Sequence, residues 1–228
     1  LMVEGYISSG LGRFRLLHAT DNAAYVPLLV GIRPYIPVGI RRVFLFLPEE
    51  SDPPASQLAS LGFQETRRVY VLRHTAIKYA QLVEPPSGVH LTPAMPSVAE
   101  DWAHVANAAF HGAPGWYDMS EERAAELLAR DRVIRGGTLL AWRFGSPAGI
   151  VCTVADSDDP YDAEIETLAV TPGNQGLGLG RALLHAAVVA VARTGGICAT
   201  LSVSTTNRRA LSMYLDAGFN VADVRVCW

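Results

Sequence analysis

The stretch Ala163-Glu-Ile-Glu-Thr-Leu-Ala-Val-Thr-Pro-Gly-Asn-Gln-Gly-Leu-Gly-Leu-Gly-Arg181 constrains the fold more than any other part of the chain. An extended apolar run passes through a turn holding Gly176, Gly178 and Gly180, then enters a long apolar helix expected over Gly180 to Thr194. Glycine lets a backbone curl so that successive N–H groups point the same way. A helix start adds unpaired donors and the positive end of the helix dipole. A strand, a glycine turn and a helix in this order therefore predict an anion site suited to a phosphate or pyrophosphate.

Two common phosphate loops fit poorly. A Walker loop needs G-x-x-x-x-G-K-[ST], and no lysine follows these glycines. In a dinucleotide fingerprint, G-x-G-x-x-G, Gly176 and Gly178 call for a third glycine at position 181, and Gly180 comes one residue too early. Starting instead from Gly178 and Gly180 puts Leu183 where that glycine belongs. A nucleotide-dependent oxidoreductase is disfavoured on this spacing.

The rest of the chain reads as mixed α/β. A break falls at Glu84-Pro-Pro-Ser-Gly88, where paired prolines exclude a helix. We expect two domains, 1–86 and 87–228. The second reads as strand Val89–Leu91, helix Ser97–Phe110 capped by Ser97, and helix Ser120–Arg130 capped by Ser120. Strands Thr138–Arg143 and Ala148–Ala155 follow, around a turn at Gly145-Ser146-Pro147, then strand Ala163–Val170. The glycine turn and its helix lead to strand Ile197–Ser204, helix Asn207–Ala217 and strand Asn220–Trp228. The order implies a mixed, mostly antiparallel sheet flanked by helices, preceded by a smaller N-terminal α/β domain. That first domain reads as strand Arg13–His18, helix Asp21–Ile32, strand Arg42–Leu47, helix Pro54–Leu61 and strand Glu65–Arg73.

One internal echo links the two parts. The thirty residues from Val43 align without gaps onto those from Ala199, strand, loop, helix and strand, with Gly62-Phe63 matching Gly218-Phe219. Ser51 then stands in the place of Asn207 and Leu58 in that of Tyr214.

Composition narrows the partners. The chain has 228 residues, 50% of them apolar, enough for a sizeable core. Its net charge of −3 gives no support to nucleic-acid or anionic-membrane binding. No apolar stretch approaches the roughly 20 residues of a spanning helix, and no signal segment is visible, so a cytoplasmic location is expected. The three cysteines form no paired spacing and read as buried thiols. No metal-ligand spacing appears, so no metal is expected.

The motif that fits the turn is Q/R-x-x-G-x-G/A, met by Gln175, Gly178 and Gly180. Downstream, Asn207-Arg-Arg-Ala-Leu-Ser-Met-Tyr214 matches N-x-x-A-x-x-x-Y and is followed by Gly218-Phe219. Over residues 89–228 the chain resembles the GNAT superfamily of acyl-CoA-dependent N-acyltransferases. The first part resembles the degenerate half of tandem members. The resemblance implies acetyl-CoA as co-substrate and a primary amine, on a small molecule or peptide, as acceptor. It implies that the backbone of Leu168, Ala169 and Val170 pairs with the pantetheine arm. The amides of Gly176, Leu177, Gly178, Leu179, Gly180 and Arg181 would hold the pyrophosphate, with Gln175 opening the motif. Leu177 departs from the family habit of a polar or basic residue, so side-chain help with the phosphates is in doubt. Asn207 would bond the pantetheine and Tyr214 would protonate the leaving thiolate. An amine of ordinary pKa must lose a proton before attack, and Glu164 and Glu166, two apart on one strand, are the candidate bases. Plainer readings stand beside these: Asn207 as a helix cap, Tyr214 as packing, the two glutamates as a solvent-facing stripe. His111, Trp116, Tyr117 and Asp118 lie in a loop that can shape the acceptor pocket. The acidic run Asp156, Asp158, Asp159, Asp162 suits a cationic acceptor. The alternative function is a non-catalytic acyl-CoA-binding regulator, and a homodimer built on the first domain is one use of that domain.

Overall fold

The computed structural model describes residues 2–6, 11–16, 22–49, 55–113, 116–156, 159 and 161–228. His18, Asp21, Ser51, Pro54 and Asp158 of the readings above lie outside these residues. Contacts divide the chain into two compact units. One holds residues 1–71, 203–207 and 221–228; the other holds 72–202 and 208–220.

In the first unit, strands β1 (Met2–Tyr6) and β2 (Leu11–Leu16) pair antiparallel. Strand β3 (Arg42–Pro48) runs parallel to β2, and β10 (Asn220–Cys227) runs antiparallel to β3. Strand β1 was not expected: a five-residue segment carrying Gly5 and Glu4 has too weak an alternation to register. Helices α1 (Tyr25–Gly31) and α2 (Ala55–Ser60) contribute Leu29 and Leu58 to a core with Phe14, Leu45 and Leu47. The C-terminal Trp228 packs on that core and exchanges main-chain hydrogen bonds with Leu45.

The second unit carries the chemistry. Strands β5 (Val89–Pro93), β6 (Leu139–Arg143), β7 (Ser146–Ala155) and β8 (Asp162–Val170) pair antiparallel in that order. Strand β9 (Cys198–Ser204) joins β8 in parallel. Strand β4 (Arg67–His74), like β9, has residues in both units. The sheet is mixed and mostly antiparallel. Strand β7 reads almost uniformly apolar because it is buried on both faces. Ile150, Cys152 and Val154 pack under helices α3 (Ala99–Phe110) and α4 (Glu121–Leu128), around the fully buried Trp102. On the opposite face Gly149 meets helix α5 (Leu179–Arg193): a methyl group there would lie 3.0 Å from Leu183 Cδ1 and 3.2 Å from the Ala169 carbonyl.

Two local readings need correction. A 3-10 turn over Pro96–Val98 precedes α3, and Ser97 caps nothing, because Pro96 starts that turn first. The β6–β7 turn sits at Phe144-Gly145, both at positive φ, so Ser146 and Pro147 begin the strand rather than the turn. The other expected cap holds: Ser120 Oγ accepts from the Arg123 N–H at 3.3 Å.

The internal echo is a shared helix ending. Helix α6 (Arg208–Asp216) closes with the Phe219 N–H on the Tyr214 carbonyl and the Gly218 N–H on the Leu215 carbonyl. Helix α2 closes with Phe63 on Leu58 and Gly62 on Ala59. This is the Schellman pattern, which needs a left-handed residue at the glycine. Gly218 has φ 94° and Gly62 φ 88°. Leu58 stands in the place that Tyr214 occupies.

Candidate active site

The site grows from the end of β8. Its parallel register with β9 covers only Asp162, Ala163 and Glu164, although both strands run on. Ile165 and Thr167 to Val170 keep their β7 partners, so among the described residues no strand pairs with the other edge of Leu168, Ala169 and Val170. A braced turn follows. The Thr171 N–H and hydroxyl both donate to the Ala148 carbonyl, and Asn174 Nδ2 donates to Thr171 Oγ1 at 2.8 Å. Arg143 Nη1 donates to Asn174 Oδ1, and Gln175 Nε2 donates to the Val170 carbonyl at 3.0 Å.

The chain then curls. Gly176 and Gly178 have φ 82° and 88°, where a side chain is strained, and Gly178 is the N-cap of α5. The first helical bond closes from the Ala182 N–H to the Gly178 carbonyl. Among the described residues, the six consecutive main-chain N–H groups from Gly176 to Arg181 donate to no protein acceptor. Six open donors at the positive end of a fifteen-residue helix could hold an anion. Gly180 is small for another reason: a methyl group there would lie 3.4 Å from Met213 Sδ of α6.

Tyr214 points inward from α6 and is 7% exposed. Burial pushes its phenol up to about 12, so it keeps its proton far above neutral pH. Its ring lies 6.1 Å from that of Phe219, the hydrophobic contact that accompanies the Schellman ending. Phe219 in turn meets the ring of His74 edge-on at 5.2 Å. His74 is 9% exposed with Nδ1 unpartnered. Burial, and then the nearby His185, hold its pKa below the usual histidine value. Asn207 directly precedes α6, and its N–H donates to the Ser204 carbonyl at 2.9 Å.

The two glutamates have different surroundings. Glu164 is half-buried next to the point where β8 and β9 part. Glu166 is the extra residue of a β-bulge: Cys152 opposes Thr167, and the next residue, Thr153, opposes Ile165. Its carboxylate is gripped at both oxygens by Arg130, whose Nε donates to the Leu127 carbonyl at 3.1 Å. The sequence reading missed this pairing, because nothing in the segment around Arg130 marks it. Arg130 also approaches the Cys152 thiol, which burial pushes up to about 11. All three cysteines are buried and free. Among the described residues no cluster of metal-ligating side chains forms, and no helix is long and apolar enough to cross a membrane.

Residues 99–219 match the model of the acetyltransferase (GNAT) family. The chain belongs to this family. Among GNAT relatives, a mycothiol acetyltransferase from Acidimicrobium ferrooxidans is 32% identical over 84% of this chain and 64% of its own length. One from Propionibacterium freudenreichii subsp. shermanii is 31% identical over 76% of this chain and 57% of its own. The chain thus spans about three-fifths of these relatives. Among solved structures, a tandem GNAT protein from the clavulanic acid biosynthesis pathway superposes with TM-score 0.69 at 16% identity, covering 96% of this chain and 74% of that one. A GCN5-related N-acetyltransferase from Kribbella flavida gives 0.68 at 19% identity, covering 95% and 79%.

Proposed function

We propose that this protein transfers an acetyl group from acetyl-CoA to a primary amine by direct attack within a ternary complex. The observation that carries the reading is the run of six open amide donors, Gly176 to Arg181, set directly after the open edge of β8. The amides take the pyrophosphate. The main chain of Leu168, Ala169 and Val170 takes the pantetheine arm as an added strand, and an N–H there polarises the thioester carbonyl. The amine lone pair attacks that carbonyl carbon, the carbon–sulfur bond breaks, and Tyr214 gives its proton to the departing thiolate. Asn207 bonds the pantetheine.

The proton lost by the amine goes to Glu164, directly or through a water. Glu166 suits this role less, because Arg130 already occupies both of its carboxylate oxygens. Glu166 serves better as a fixed negative charge near an incoming ammonium. The acceptor is a small-molecule amine, and amines of mycothiol chemistry come first because the relatives carry that name. We read residues 1–86 as a degenerate GNAT-like half and 87–228 as the catalytic domain, since Leu58 has no hydroxyl to stand for Tyr214.

The second reading, a non-catalytic acyl-CoA-binding regulator, draws on Arg130's hold on Glu166, which takes up one of the two candidate bases. One assay separates them: thiol release from acetyl-CoA over a panel of amines, with Tyr214→Phe beside the wild type. The enzyme reading expects amine-dependent release that falls about 10²-fold in the variant at little-changed acetyl-CoA affinity. Tight acetyl-CoA binding with no release for any amine would support the regulator.

A further inference from the structure

Leu177 removes the polar side chain expected within the glycine turn, and it is 45% exposed. A cation reaches the same turn from another element. A methyl group at Gly176 would lie 3.1 Å from Nη2 of Arg209, so the guanidinium rests on the turn itself. One helical turn further along α6, Met213 meets Gly180 in the same way, at 3.4 Å. Arg209 and Met213 are four apart and share a face of α6, as Gly176 and Gly180 are four apart along the turn. This face of α6 therefore lies along the open amides, and both contacts exist because glycine leaves the space. Arg209 is exposed, and its guanidinium makes no hydrogen bond or ion pair among the described residues.

We propose that Arg209 is the side-chain cation that grips the cofactor's pyrophosphate over Gly176, in place of a polar residue at position 177. The inference rests on the acetyl-CoA reading above. A guanidinium offers paired N–H donors that match two phosphate oxygens, which main-chain amides alone engage singly. The grip also ties α6, the helix that carries Tyr214, to the cofactor, so that phosphate recognition and the proton donor share one rigid element. The protein should accordingly distinguish thioesters that carry the pyrophosphate from those that do not.

The test is calorimetric titration of wild type, Arg209→Ala and Arg209→Lys with acetyl-CoA, its 3′-dephospho form and acetyl-pantetheine. Matched thermal unfolding verifies that the variants fold. Arg209→Ala is expected to weaken acetyl-CoA and the 3′-dephospho form alike, roughly tenfold. Acetyl-pantetheine should change less than about twofold, and Arg209→Lys should recover part of the loss. Raising the salt concentration should narrow the difference between wild type and Arg209→Ala. Unchanged acetyl-CoA affinity in Arg209→Ala overturns the proposal, and so does a loss confined to acetyl-CoA, which would assign Arg209 to the 3′-phosphate. Equal losses for all three ligands would also overturn it, as the mark of a distorted site. A wild type that binds none of them refutes the acetyl-CoA reading itself, which is a different result from a wild type that binds acetyl-CoA no better than Arg209→Ala does.

Discussion

Two glycines in the same helix-ending motif should respond differently to the same substitution. Gly218 and Gly62 both sit in the left-handed region, at φ 94° and 88°. Alanine in that region costs about 1–2 kcal/mol relative to glycine. Around Gly62 a new methyl group meets nothing within 4 Å, so Gly62→Ala carries the backbone cost alone. At Gly218 the methyl would lie 3.2 Å from both Cε1 and Nε2 of His74. His74 is wedged against Phe219 and 9% exposed, so its ring has little room to retreat. Overpacking of this kind adds about 1 kcal/mol or more. Gly218→Ala should therefore cost about 2–3 kcal/mol against about 1–2 for Gly62→Ala. The assay is urea denaturation of a double-mutant cycle that adds His74→Ala. Removing the ring should relieve the steric share, with a coupling of about 1 kcal/mol, and leave the backbone share. Equal costs at the two glycines, or no coupling to His74, would refute the reasoning.

Other consequences follow from burial and fit. Tyr214 should titrate near pH 12 by tyrosinate absorbance. Its folded pKa lies above the ordinary value of 10, so its contribution to stability is full below pH 10 and lost as pH rises toward 12, about 3 kcal/mol at most. Tyr214→Phe should flatten that alkaline loss in pH-dependent unfolding. His74 has the opposite sign. Its folded pKa is depressed, so the unfolded chain takes up the proton first and stability falls as pH drops below about 6.5; His74→Phe should reduce this acid sensitivity. Gly149→Ala should cost about 1–3 kcal/mol, because Leu183 and the Ala169 carbonyl already occupy the space. It should also weaken acetyl-CoA binding in titration calorimetry, since the first turns of α5 must shift to admit the methyl group.

The parts of the site legible in the sequence are those whose constraint is local. Gly176 and Gly178 mark a left-handed curl, and Gly218-Phe219 marks a helix ending, because each depends on backbone conformations that few residues tolerate. The echo at Gly62-Phe63 was readable for the same reason. What escaped depends on contacts between distant residues. Arg130 and Glu166 are 36 residues apart, and the bulge that re-aims Glu166 leaves no mark in an alternating strand. Arg209 stands two residues from Asn207 in sequence, yet its position over Gly176 follows only from the packing of α6 on the glycine turn. Ser97 illustrates the converse: a plausible cap by composition lost its role to Pro96, which started a tighter turn one residue earlier.

The central claim concerns where acetyl-CoA lies, and amide hydrogen exchange with and without acetyl-CoA tests it most directly. Two segments should gain protection together: Leu168 to Val170, as the pantetheine closes the open edge of β8, and Gly176 to Arg181, as the pyrophosphate takes the free N–H groups. Saturating acetyl-CoA with no added protection at either segment would contradict the account.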